Sequence, residues 1–346
     1  MTTDLREVLH ERLDRLAPPP GDLDVVRRRG RRLRRGRQAA VGGVAVAAVA
    51  ACTAAILAVG GAGDGGGTRG IDPVGRLDFS QGLRAYAAPG AEIHLGGRTF
   101  PADRLAFLDT DAAATPEGVL FYDDGVPRLL RETGEVTDLE PDAGGIDGHP
   151  TAKVDSTGAV AAYAAALDGD LVVRVRDLAS GELLASTSVP PGTVIDAIDA
   201  GAVFLRTGDG TDRWDTATGE QRGFAGPETR VADVRNGVVL YDGPAPDGPD
   251  AADYRLVPGA IDAQLTYDGR HVLSWSHRLE STDGGAPIVL ERKATFFAID
   301  TDGSVLAAEY GDPATVYDCE VPSGRCTELG PLTTRHGDPM FIGVDM

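Results

Sequence analysis

An all-β outer domain carried behind one membrane-spanning helix is the fold class this sequence predicts, and three observations predict it. An uncharged run, residues 39–61, follows directly on a cluster of arginines. From about residue 76 to the end, apolar runs of four to eight residues alternate with Gly, Pro and Asp clusters, and no segment keeps a helical period. Within that region a short motif recurs at spacings of 38 and 47 residues.

The 346-residue chain carries 33 Lys+Arg against 53 Asp+Glu, a formal net charge of −20. Its 42% hydrophobic and 25% charged content sets it apart from disordered chains and from multi-pass membrane proteins. The charge is unevenly placed. Residues 1–38 hold 11 Arg and 6 acidic residues, residues 39–61 hold no charge, and residues 62–346 hold 22 basic against 47 acidic. No nucleic acid partner is expected for so acidic a chain, because affinity for phosphate comes from clustered cations.

Residues 39–61 read AAVGGVAVAAVAACTAAILAVGG, with ten Ala and four Gly. As a helix they extend about 34 Å, enough to cross a hydrocarbon core of about 30 Å. Eight arginines lie between Arg27 and Arg37, and cations flanking a span are retained on the cytoplasmic side. The expectation is a transmembrane helix over 39–61 in contact with the lipid bilayer, with residues 1–38 cytoplasmic and residues 62–346 extracytoplasmic. The protein is then a single-pass component of the cell membrane. Three alternatives stay open: a buried soluble helix, a cleaved signal peptide, and a bacterial lipobox, which Val49-Ala50-Ala51-Cys52 resembles. In lipoboxes the Cys ends the apolar run, whereas here Thr53 to Gly61 continues it.

Ahead of the span, Leu5, Val8, Leu9, Leu13 and Leu16 recur at helical spacing, with Asp4 placed to cap and Pro18-Pro19-Pro20 placed to stop. This short amphipathic helix either lies on the membrane or docks on a cytoplasmic protein. Behind the span, Gly-rich residues 62–75 form a flexible tether.

The outer domain, residues 76–346, shows runs such as Gly118–Tyr122, Leu171–Val175, Ala202–Leu205 and Val238–Tyr241. Arg176-Asp177-Leu-Ala-Ser-Gly181-Glu182 and Trp214-Asp215-Thr-Ala-Thr-Gly219-Glu220 match in register 38 residues apart. Thr133-Gly134-Glu135 lies 47 residues before Gly181, and Tyr317-Asp318 through Ser323-Gly324-Arg325 reads as a looser copy with two extra residues. Asp155-Ser-Thr-Gly158 and Asp268-Gly269-Arg270 mark a second kind of turn. A unit of about 40 residues, each a strand, an Asp/Gly turn and an outer strand, predicts a β-propeller of six or seven four-stranded blades. Phe341-Ile342-Gly343-Val344 is the candidate closing strand, with residues 76–100 as its neighbours. A pair of β-sandwiches with similar turns is the alternative.

These fragments resemble WD40-like and TolB-like propeller proteins: Trp214-Asp215 resembles the WD dipeptide and Asp268-Gly269-Arg270 the D-G-R turn of those families. The likeness is spread over roughly residues 100–345; most blades lack the Trp, and the Gly-His pair of true WD40 repeats is absent. The layout of inner helix, span and outer domain is similar to that of membrane-bound anti-sigma factors, without the zinc-binding cysteines of their commonest domain. Thirty-one Arg against two Lys points to a GC-rich, actinobacterial type of genome.

Cys319 and Cys326 bracket Pro322-Ser323-Gly324, so a hairpin sets them opposite one another and an oxidising compartment joins them as a disulfide. A metal is the alternative, but no second Cys pair or His run supplies four ligands. The six His form no zinc motif; His271 and His277 are spaced to share the face of one strand. Nucleophile elbows, phosphate loops and dinucleotide fingerprints are absent. Asp300-Thr-Asp302-Gly303 and Asp209-Gly-Thr-Asp212 offer carboxylates but no complete calcium loop. No catalytic residue, metal site or cofactor is therefore expected. The expected function is that of a binding or scaffold module taking a protein, peptide or glycan ligand on the propeller face. A regulator working through the cytoplasmic helix and a propeller hydrolase or lyase are the alternatives.

Overall fold

A computed structural model describes residues 75–88, 92–101, 112–146, 150–260, 262–274, 276–334 and 337–342. The expected helix at residues 4–16, the span at 39–61 and the tether up to Val74 lie outside them. Among the described residues no helix is long and apolar enough to cross a membrane.

Among the described residues the strands form seven separate sheets, so the domain is a seven-bladed propeller. Blade 1 is formed by residues 86–100, blade 2 by 113–138, blade 3 by 152–188, blade 4 by 194–225, blade 5 by 230–258, blade 6 by 264–289 and blade 7 by 296–332. The innermost strands of blades 2 to 7 are Ala113–Thr115, Ala152–Val154, Val194–Asp199, Arg230–Arg235, Gln264–Leu265 and Phe296–Ile299. In blade 1 the inner place belongs to Met340–Phe341, which pairs antiparallel with Tyr86–Ala87. Residues 340–341 thus complete the blade begun at residues 86–100, and this pairing joins segments from opposite parts of the sequence at the seam of the ring.

Alternation along these strands explains how blades stack. Successive side chains point to opposite faces, and in Phe296–Ile299 the residues Phe296 and Ala298 join a cluster with blade 1, while Phe297 joins one with blade 6. Seven apolar clusters fill the seven gaps between neighbouring blades. Tyr163, Phe121, Phe204 and Phe224 are the largest fully buried side chains. Each blade is an apolar slab with two faces to cover, which is why none is stable alone.

The repeated sequence motif marks one place in every blade that carries it, the turn from the third strand to the outer strand. In blade 3 the Asp177 carboxylate accepts from the amides of Ala179 at 3.0 Å and Ser180 at 2.9 Å. In blade 4 Asp215 does the same for Ala217 at 3.1 Å and Thr218 at 2.9 Å. Blade 7 corrects the register expected from sequence. The Gly324 amide donates to the Glu320 carbonyl at 2.8 Å, as Gly181 does to Asp177, so Glu320 holds the Asp position and there are no extra residues. Asp318 is left to pair with Arg84 of blade 1 at 2.8 Å.

Blade 5 departs from the expected pattern. It has three strands, and Arg255–Pro258 runs parallel to Val238–Asp242. Between them Pro244, Pro246 and Pro249 lack the amides an antiparallel return strand needs. The connection instead crosses to blade 4, where the Gly248 amide donates to the Phe224 carbonyl at 2.9 Å and Arg213 holds Asp250 at 3.2 Å.

Cys319 and Cys326 face each other on adjacent strands of blade 7 and form a disulfide, with Cα atoms 4.0 Å apart. Closing so short a loop is worth about 2–3 kcal/mol in the chain-entropy model. The double variant Cys319→Ser/Cys326→Ser is expected to lose that much stability in urea melts, and an unchanged midpoint would show the hairpin to be held by its ladder alone.

Candidate functional site

The inner strands place their residues around the ring axis. Five of them, from blades 2, 3, 5, 6 and 7, line one cavity of about 100 Å³, together with Ile342 just beyond the closing strand. Alanines recur along its wall, Ala113, Ala114, Ala152 and Ala232 among them, between larger apolar and charged residues. Alanine at these positions keeps the axis open; larger residues would fill it.

The trailing ends of the inner strands form the floor. Arg235, last in the inner strand of blade 5, reaches across to blade 3, where its Nη1 donates to the carbonyls of Val154 and Asp155 at 2.8 Å each. Its Nε lies 3.2 Å from a carboxylate oxygen of Asp233, and its guanidinium sits 4.8 Å from the ring centroid of Tyr267. Burial works against the Arg235 charge, but Asp233, Tyr267 and Asp199 outweigh it and hold its pKa above the ordinary arginine value. Tyr267 is pushed up, first by burial, with Arg235 opposing. The floor is therefore a cation held under an aromatic ring, inside a cage of carboxylates.

Those carboxylates also hold blade to blade. Asp199 accepts from the Gly237 amide of blade 5 at 2.9 Å, and Asp233 from the Leu265 amide of blade 6 at 3.0 Å. The Gln264 side chain accepts from the Ile299 amide of blade 7 at 3.1 Å, and Thr151 from the Ile195 amide of blade 4 at 2.8 Å. Asp300 accepts two amides leading into blade 1, those of Leu83 at 2.9 Å and Arg84 at 2.8 Å. Asp199 Oδ1 is buried and has no partner among the described residues.

Toward the leading ends the charges are differently arranged. Asp196 of blade 4 is buried and bonded to Arg206 Nε at 3.0 Å. Burial raises its carboxyl above the usual value, opposed first by Arg206 and then by Lys153 and Arg230. Lys153 and Asp262 line the cavity, half-buried, on blades 3 and 6.

The residues singled out from sequence lie elsewhere. The disulfide sits in the outer hairpin of blade 7. His271 and His277 do not share a strand, because the chain reverses between His271–Leu273 and Arg278–Ser281. Of the acidic runs, Asp300 is a blade latch, Asp302 accepts from the Ser304 amide at 2.9 Å, and Asp212 accepts from Gln221 at 2.9 Å. Among the described residues no three His, Cys, Asp or Glu side chains gather as a metal site would require. Sequence reasoning missed Arg235, although a signal was present: Asp199 ends the inner strand of its blade, Asp155 and Asp300 directly follow theirs, and Arg235 inverts that charge just before Asn236-Gly237.

No family model matches the chain. No curated protein matches it either. Among solved structures it is similar to TolB from Acinetobacter baumannii, at 13% identity and a TM-score of 0.37 over 75% of this chain and 66% of that one. The RRP9 WD40 repeats align at 13% identity and a TM-score of 0.38, over 64% of this chain and 80% of theirs. Dihydro-heme d1 dehydrogenase NirN aligns at 12% identity and a TM-score of 0.40, over 78% of this chain and 77% of that one.

Proposed function

We propose that the chain is a single-pass membrane protein whose outer propeller binds a protein, peptide or glycan ligand on its axial face and carries out no chemistry on it. The observation that carries this reading is the axial cavity itself: a recess lined from several blades and floored by Arg235, whose hydrogen bonds and ion pair are directed at its own blades. A floor so engaged is rigid and preformed, as binding recesses are. Membrane anchoring rests on the uncharged residues 39–61 behind their arginine wall. The regulatory alternative rests on the helical pattern of Leu5, Val8, Leu9, Leu13 and Leu16, and capture of a cytoplasmic protein by residues 1–38 in mild detergent would favour it.

Two measurements test the proposal. Protease added to intact spheroplasts should remove a C-terminal tag and spare an N-terminal one; the reverse pattern sinks the topology. A photo-crosslinking residue at Ala232, on the cavity wall, should capture a macromolecular ligand on cells, while one at exposed Leu184 on the outer strand of blade 3 should not. Capture from Leu184 alone would place binding on the outer edge and reject the axial face.

A further inference from the structure

Each blade of a propeller ends in an outer strand, and an outer edge left unpaired invites association unless it is blunted. Six of the seven outer strands here are blunted. Those of blades 1, 2 and 6, at Arg98–Phe100, Val136–Asp138 and Ile288–Val289, have three residues or fewer. Those of blades 4, 5 and 7 carry charge or proline: Arg222 in the first, Arg255 and Pro258 in the second, Glu328 and Pro331 in the third.

The outer strand of blade 3 differs. Leu183–Ser188 has six residues, LLASTS, with neither charge nor proline. Among the described residues it pairs only with Asp170–Asp177, on its inner side. The Val189 amide donates to the Leu171 carbonyl at 2.9 Å. By the alternation of antiparallel ladders, Ala185 and Thr187 then bond inward, while the backbone groups of Ser186 and Ser188 face out. The Ser188 carbonyl takes only the Thr187 hydroxyl, at 3.5 Å. Leu183 and Leu184, 40% and 47% exposed, are two of the four large apolar side chains left exposed among the described residues.

We propose that this strand pairs antiparallel with the same strand of a second copy of the chain, joining two propellers about a two-fold axis. Centred on Ser186, the pairing sets Leu184 opposite Ser188 and Glu182 opposite Pro190, so no like charges are opposed. That neutrality is what lets two chains of net charge −20 approach there. A foreign strand fits less well. Strand addition draws its specificity from pockets for alternate side chains, and Ala185 to Ser188 give a partner only small ones to read. Six residues a side is well short of the roughly 20–30 a side of a stable soluble interface. The pairing is therefore weak between free domains and effective between copies confined to one membrane. Its strength thus rests on the proposed anchoring through residues 39–61, whereas its geometry does not.

Disulfide trapping of the full chain in cell membranes tests this, with Ser186→Cys in a Cys52→Ser background under mild oxidation. Directly opposed, hydrogen-bonded residues of an antiparallel pair have Cα atoms about 5.5 Å apart, which suits a disulfide. A product of two chains should form, at least tenfold more than from Thr99→Cys, exposed on the outer strand of blade 1. Adding Ser188→Pro, which removes an outward amide and no ladder bond, should cut that product at least tenfold with the far-UV spectrum unchanged. Ser188→Lys serves as the second variant should the proline form fail to fold. The proposal is overturned if Ser186→Cys yields no more product than Thr99→Cys, if it joins a different protein, or if the Ser188 variants leave the product undiminished. Protease protection reads the anchoring separately, so a dimer of an unanchored chain keeps the pairing and rejects only the membrane's part in it. A crosslink from Leu184 to a second copy has the mass of two chains and is thereby told apart from ligand capture.

Discussion

Asp300→Ala is expected to destabilise the propeller by about 2–6 kcal/mol, because, besides its local bond to the Thr301 amide, its carboxylate accepts two amides from across the seam and each buried orphan costs about 1–3 kcal/mol. Asp300 is 3% exposed and lies just past the inner strand of blade 7. Its two oxygens hold the amides of Leu83 and Arg84, 217 and 216 residues earlier in the chain. This is the seam at which the ring closes, so the loss falls on joining blade 7 to blade 1 and not on either blade alone. Urea melts give the magnitude. Hydrogen exchange should show the new weakness first in the amides around residues 83–87, and uniform loss across all blades would contradict a seam-specific role.

The same residue sets a pH dependence. Burial is the largest influence on Asp300 and raises its pKa above 3.8, with the amides of Arg84, Thr301 and Leu83 pulling the other way. A carboxyl raised on folding binds more protons in the native state, so its contribution to stability falls as pH rises through that window. The stability gap between wild type and Asp300→Ala should therefore be wider near pH 4 than at pH 7. The opposite slope would mean that the amides outweigh burial.

Phe204→Ala is expected to cost about 3–5 kcal/mol, the range for truncating a fully buried aromatic side chain. Phe204 fills the gap between blades 4 and 5 with Phe224 and Tyr254, whose ring centroids lie 5.0 and 5.7 Å away in edge-on geometry. Blade 5 contributes only three strands, and its connection is tied to blade 4 through Tyr254 and Asp250. The cavity left at Phe204 would free Tyr254 and with it the proline-rich crossing. A melting loss below 1 kcal/mol would show that the gap collapses and refills.

How much was legible before the structure depended on the range of the interactions concerned. The turns were legible because their chemistry is local: Asp177 and Asp215 bond amides two and three residues ahead, and Gly181, at φ +74°, takes a backbone conformation that other residues resist. The pairing of Cys319 with Cys326 was legible for the same reason, since one hairpin joins them. The register in blade 7 was misread because Glu320 stands where Asp stands elsewhere, its carboxylate bonded to the Ser323 hydroxyl at 2.6 Å and to Arg325 at 3.2 Å instead of to turn amides, and a pattern keyed to Asp passes over it. The split of His271 from His277 was hidden because a reversal at Ser274 carries no Gly, Asn or Pro signal.

Local pattern alone determined that the domain beginning near residue 76 is built of short strands in a repeat of about 40 residues, because strand alternation and turn bonding are settled within a few residues. Only the tertiary structure decided that there are seven blades, that Met340–Phe341 closes the first of them, and that blade 5 turns parallel. It alone also brought Lys153, Asp233, Arg235, Asp262 and Tyr267 around one cavity. These residues span more than a hundred positions over three blades, on strands and turns whose neighbours say nothing of the axis. Their convergence is a consequence of ring closure, and closure is fixed by the summed burial of seven inter-blade clusters, not by any one segment.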